Sequence, residues 1–171
     1  LSEWQASWAQ LQAALARSPE DPHLLDLQGR LLALTVRTPE GVTHRLPESV
    51  APLERAVALR PTSPFAWASL AWAMYATGKT DGKFHAILEK IVETGPFEEG
   101  ALMVTIDYGL ATWDVAPETT KQAVLTALRN ADRRDAVSIV AIAQRRGRLE
   151  NVCGLPNSGK LEVCTQFKAG S

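Results

Sequence analysis

Apolar residues recur along this chain at three- and four-residue spacings between frequent turn formers, which is the pattern of short helices. Ser2 followed by Gln5 reads as a capping box opening a helix through about Arg17. Asp21-Pro22 pairs an N-cap with proline at the first helical position and starts a helix to about Thr35. Ser63-Pro64 repeats the device for a helix to near Ala76, with Gly78 as its stop. Thr80 is expected to cap the next helix, which stops at Gly95-Pro96, and Glu98-Glu99 stands at a further helix start. Pro117 and Asp132 open two more, the second ending at Gly147. Strand signals are almost absent, so about eight helices and no sheet are expected. Residues 36–47, with Pro39 and Gly41, break the periodicity and read as an insertion loop.

Short helices joined by tight turns suggest internal repeats. One period stands out, PFAWASLAWAMYATGKTDGKFHAILEKIVETGP, from Pro64 to Pro96. It sets Trp67, Leu70, Ala71 and Met74 at the tetratricopeptide spacing: large, Leu, small, large. The large residues make an apolar stripe, and small Ala71 lets the paired helix approach. Leu53, Ala56, Val57 and Pro61 fit the second helix of the preceding repeat, and Leu11, Ala14, Leu15 and Pro19 the same slots one repeat earlier. Leu25, Gly29 and Leu32 fill first-helix slots between them, with Gln28 where Leu is usual. After Pro96 the pattern decays, keeping Tyr108 and a displaced Ala127-Leu128, as a divergent cap would. The expected fold is therefore all-α: antiparallel tetratricopeptide-like repeats over residues 1–152, then a tail over 153–171.

Composition narrows the function. The 171 residues carry 18 Lys and Arg against 19 Asp and Glu, a net charge of −1. Such a balance lacks the basic face that neutralising phosphates requires, so no nucleic-acid partner is expected. A hydrophobic share of 46 % suits a folded domain rather than a disordered one. No apolar run approaches the ~20 residues of a membrane span. Because the chain begins at Leu1, an upstream signal peptide or membrane anchor is expected.

Cys153 and Cys164 frame CGLPNSGKLEVC, whose Pro156, Asn157, Ser158 and Gly159 are turn formers able to bring the sulfurs together. A bridge would contribute roughly 3 kcal/mol by closing a short loop, and it implies an oxidising compartment; the alternative is two unrelated free thiols. The same stretch, Gly154 to Lys160, matches the start of a phosphate-binding loop. Leu161 replaces the metal-binding hydroxyl, no apolar strand precedes it and no clear helix follows, so a stapled turn explains it better. His23, His44 and His85 lack ligand spacing, and no metal, cofactor or catalytic residue is expected. Arg145, Arg146 and Arg148 end a helix, where cations are favoured, although they could also dock an acidic partner.

One constellation is a candidate site. In tetratricopeptide repeats the first helices line a concave groove on slots offset from the core stripe. Here those slots hold Phe65, Ala68, Trp72 and Tyr75, and on the preceding first helix His23, Asp26 and Arg30. Aromatics with a few polar groups suit peptide recognition. Packing of Trp72 and Tyr75 against adjoining helices is the alternative, and the sequence leaves both open.

The run RPTSPFAWASLAWAMYATG, then GPFEEGALMVTIDYGLATW, then RRGRLENVC, resembles in order and spacing the VpsP-type proteins of bacterial exopolysaccharide-biosynthesis clusters. The likeness covers Arg60 to Cys153; before Arg60 only generic repeat features match. It implies an inner-membrane anchor upstream, a periplasmic helical-repeat domain, and protein partners in polysaccharide synthesis or export, with no catalytic residues to carry over. A scaffold of another envelope machine, such as pilus or cytochrome assembly, and a nucleotide-binding protein using Gly154–Lys160 are the alternatives.

Overall fold

The computed structural model describes residues 3–34, 36–38, 41–43, 45–131 and 136–153, with only the backbone of 36–38 and 41–43. Nine helices lie among them: α1 Glu3–Arg17, α2 Pro22–Ala33, α3 Leu46–Leu59, α4 Pro64–Ala76, α5 Gly82–Thr94, α6 Glu99–Ala111, α7 Glu118–Asn130, α8 Ala136–Arg146 and α9 Leu149–Cys153. The all-α architecture agrees with the periodicity. One helix more than expected is present, because the five-residue α9 is too short to carry a period.

The punctuation works largely as its chemistry dictates. The Asp21 carboxylate accepts from the backbone N–H of His23 and Leu24 ahead of Pro22, and the Ser63 hydroxyl accepts from Ala66 N–H ahead of Pro64. α2 ends at Ala33, not Thr35. Asp81, rather than Thr80, caps α5, its side chain accepting from Lys83 and Phe84 N–H. Asp outranks Thr as an N-cap, which settles the competition between the two neighbours. Gly78 has φ +73°, and Lys79 N–H returns to Met74 C=O at 2.8 Å, the closing bond of a left-handed helix stop. Ser2 and Asp132 lie outside the described residues.

The insertion differs from expectation. Val36–Thr38 (β1) and Gly41–Thr43 (β2) pair antiparallel, Val36 opposite Thr43 and Thr38 opposite Gly41. Four of these six residues are β-branched, which outweighed the breakers that mark the segment as a loop. The insertion also ends early, since α3 begins at Leu46 with Pro47 in its first turn.

Successive helices pack on each other from α1 to α7, and α8 packs on α9. Alternate helices touch as well: α2 with α4, α4 with α6, α6 with α8, and α5 with α7. Neighbours run antiparallel where their ends meet. A Cβ on Gly95, just after α5, would strike Pro64 at the start of α4, and Asn130 at the end of α7 donates to Pro96 C=O ahead of α6. Two helix pairs close by glycine. A Cβ on Gly29 would lie 2.3 Å from Leu53 Cγ, and one on Gly109 would lie 2.1 Å from Val124 Cγ2.

Two apolar cores result. The first joins α3, α4 and α5 around Leu53, Leu70, Phe84 and Leu88; the second joins α6 to α9 around Leu102, Ile106, Val124 and Val152, with Val92 of α5 reaching into it. α4 is less one-sided than a stripe: Ala66, Ala68, Leu70, Ala71, Ala73 and Met74 are all buried, as befits a helix with neighbours on most sides. Trp67 is only half-buried, its indole N–H donating to Pro61 C=O at 2.8 Å. Cys153 ends α9, buried, and no cysteine among the described residues is a free thiol. Cys164 and the Gly154–Lys160 stretch lie outside the described residues.

Candidate functional site

α4 presents the aromatic residues that the sequence singles out, but not equally. Phe65 is 54 % exposed and Trp72 39 %, and their seven-residue spacing sets them on one side, two turns apart. Ala68 is buried, so it backs the surface rather than lining it. On α2, His23 and Arg30 are exposed and Asp26 is half-buried. His23 Nε2 lies 2.6 Å from Arg60 Nη1 at the end of α3. Asp26 Oδ2 lies 3.8 Å from Arg30, while its buried Oδ1 has no hydrogen-bond partner among the described residues. α2 and α4 touch, which places the two groups on adjoining helices.

Tyr75 turns away from that solvent-facing pair into a cluster spanning three alternate helices. Its ring stacks on Tyr108 of α6, centroids 4.4 Å apart and planes 15° from parallel. Arg146 at the end of α8 donates through Nη1 to the Tyr75 hydroxyl at 3.1 Å, with its guanidinium 5.4 Å from the Tyr75 ring centroid. Asp107 of α6 holds two arginines at once: Oδ1 accepts from Arg146 Nε at 2.7 Å and Oδ2 from Arg145 Nη2 at 3.0 Å. Charge-assisted bonds of this kind fix geometry as well as sign. Burial, reinforced by the Asp107 carboxylate, pushes the Tyr108 phenol up to about 12, with Arg146 opposing. The bond to Asp107 raises Arg146 against the burial that lowers it. Both open questions about α4 are thus answered in part: Tyr75 packs against an adjoining helix, whereas Trp72 and Phe65 face solvent.

Asp107 and the arginine pair were not assembled by sequence reasoning. The signal was present but faint. Asp107 directly precedes Tyr108, the aromatic slot that survives in the divergent segment after Pro96, and its partners lie 38 and 39 residues on, about one repeat length later. Arg145 and Arg146 alone read as helix-end cations.

The remaining titratable groups are dispersed. His85 of α5 is buried, edge-on to Phe84, and its Nδ1 has no hydrogen-bond partner among the described residues; burial lowers its pKa, with Glu89 and Asp81 opposing. Glu89 accepts from the Thr119 and Thr120 hydroxyls at 2.8 and 2.6 Å, tying α5 to the first turn of α7. Arg148 pairs with Asp114. Among the described residues no three His, Cys, Asp or Glu converge as metal ligands, and no helix is long and apolar enough to cross a membrane. What the cluster offers chemically is aromatic surface and directed N–H donors. A search against protein-family models finds no match, and neither does a search of curated proteins.

Proposed function

We propose that the chain is a tetratricopeptide-type scaffold that binds protein partners and has no catalytic centre of its own, serving exopolysaccharide synthesis or export from the periplasmic side of the inner membrane. The observation that carries the binding reading is the pair Phe65 and Trp72, exposed on a helix that buries Ala66, Ala68, Leu70, Ala71, Ala73 and Met74. Large aromatics that a central helix keeps in water are the usual anchors of a protein interface. Nearest-neighbour helix packing, with alternate helices also in contact, supports the repeat assignment. The polysaccharide setting rests on the resemblance of residues 60–153 alone. The compartment rests on that resemblance and on the proposed Cys153–Cys164 bridge.

The test is a Phe65→Ala/Trp72→Ala double variant expressed with its native cell envelope. The variant should melt as the parent does, since both side chains are exposed. It should lose partner crosslinking and polysaccharide output. Lys160→Ala should leave both intact. If Lys160→Ala loses function while the double variant keeps it, the scaffold reading fails and a phosphate-loop activity replaces it.

A further inference from the structure

We infer that the partner surface on α4 takes a short acidic peptide segment, its carboxylate on Arg145 and Arg146 and its apolar side chains against Trp72 and Phe65. The inference rests on the scaffold reading and names the chemistry of its partner.

Charge is the first argument. One carboxylate, Asp107, serves two guanidinium groups, one through each oxygen. Its own charge is therefore compensated, and one cation is left over. Lys79 is exposed immediately beyond the end of α4, four residues after Tyr75, while Arg148 is balanced by Asp114. The partial charge at the end of α8 offsets about half a unit of this surplus. Recognition thus depends on directed donors more than on a long-range field. Arg145 has donors to spare: it is 60 % exposed and spends one N–H on Asp107, whereas Arg146, 21 % exposed, is occupied by Asp107 and Tyr75.

Shape is the second. Phe65, Trp72 and Tyr75 run along one helix and the arginine pair stands at the Tyr75 end. From Phe65 to Tyr75 is a rise of about 15 Å. An extended chain covers that distance in about five residues. The fitting ligand therefore has an acidic residue and an apolar or aromatic residue about four positions apart.

The third argument selects among anions. Nucleic acid or an anionic bilayer would need many cations spread over a face to gain from counterion release. This chain has a net charge of −1, and the surface beside Tyr75 offers one compact pair. A lone carboxylate beside an apolar side chain matches both.

The experiment uses the whole chain and dye-labelled pentapeptides followed by fluorescence anisotropy at low and physiological salt. One peptide has phenylalanine first and glutamate last, the second has the reverse order, and a matched pair carries lysine for glutamate. One glutamate peptide should bind about tenfold more tightly than its lysine counterpart, the scale of one charge-assisted hydrogen bond. Arg145→Glu should erase that preference, and Trp72→Ala should weaken binding without changing the preference. Arg145→Ala serves if the added carboxylate beside Asp107 prevents folding. Absence of any glutamate preference, or a preference unchanged in both Arg145 variants, overturns the inference. So does equal Arg145-dependent retention of oligothymidylate or phosphatidylglycerol vesicles, which would mark a general anion surface. In cells, loss of partner crosslinking by the Phe65/Trp72 double variant but not by Arg145→Glu would sink this inference and leave the scaffold reading standing.

Discussion

Gly109→Ala should destabilise the protein, although alanine is the better helix former. Two effects oppose. In a helix interior the change returns about 1 kcal/mol of propensity. Against that, the new Cβ would lie 2.1 Å from Val124 Cγ2, where apolar carbons rest about 3.5–4 Å apart, so something must move by about 1.5 Å. Val124 is fully buried, and a β-branched side chain in a helix has one strongly preferred rotamer, so it cannot swing aside. Parting α6 from α7 would in turn loosen the second core. Overpacking of this kind costs about 1–3 kcal/mol, leaving a net loss of up to about 2 kcal/mol. For a chain of this size that lowers the melting midpoint by up to about 8 °C. Calorimetry of four variants decides the matter: Gly109→Ala, Val124→Ala, their combination, and Gly100→Ala. Gly100→Ala in the same helix is the control: its Cβ would meet only Phe65 Cε1 at an ordinary 3.6 Å, so its midpoint should hold or rise. Val124→Ala combined with Gly109→Ala should be milder than the sum of the two single changes, a coupling of about 1 kcal/mol or more. A Gly109→Ala midpoint above that of the parent, with no coupling to Val124→Ala, would refute the close approach of α6 and α7.

Three further expectations concern protons and thiols. Burial lowers the pKa of His85 in the folded chain, so the unfolded chain binds its proton first as pH falls. The resulting stability is present above the ordinary histidine value of 6.5 and is lost as the pH drops below it; denaturation midpoints of His85→Gln should lack this slope. Tyr108, raised to about 12, favours the neutral phenol in the fold, so its contribution is full below pH 10 and is lost as pH rises from 10 towards 12. Ultraviolet titration of Tyr108→Phe against the parent should remove a late-ionising phenol, and removal of an ordinary one would contradict the burial argument. Finally, non-reducing peptide mapping of protein from the periplasm should recover Cys153 joined to Cys164, and two alkylatable thiols would withdraw that support for the compartment.

What was legible in the sequence was local. Asp21-Pro22 and Ser63-Pro64 announce helix starts because the cap and the proline act on the next few backbone N–H groups, and Gly78 announces a stop for the same reason. Neighbouring candidates are harder: Thr80 and Asp81 are both capping residue types, and only their relative strength favours Asp81, which caps α5. The β1–β2 pairing was missed because six residues give too short an alternation to outvote Pro39 and Gly41. Of the site, Trp72 and Phe65 were visible as aromatics off the core stripe. The bridging of Arg145 and Arg146 by Asp107 was not, since it depends on how α6 and α8 stack, and residues 38 apart have no local rule to join them.

The N-terminal helix has a consequence for how the molecule opens. α1 packs on α2 and fully buries a single side chain, Leu11. Other ties include the Trp4 indole N–H on Leu31 C=O at 3.2 Å and Arg45 resting on Trp8, which itself stacks on Trp4 within the helix. Releasing it uncovers little apolar surface, whereas releasing α4 or α6 would empty a core. Amide exchange in α1 should therefore proceed through a cheap local opening, while amides of α4 and α6 wait for global unfolding. Trp4 and Trp8 sit on α1, whereas Trp67 and Trp72 sit on α4 and Trp113 against the second core. Tryptophan emission therefore sums an early detachment with the later collapse, and a melting curve followed by it alone would begin too early.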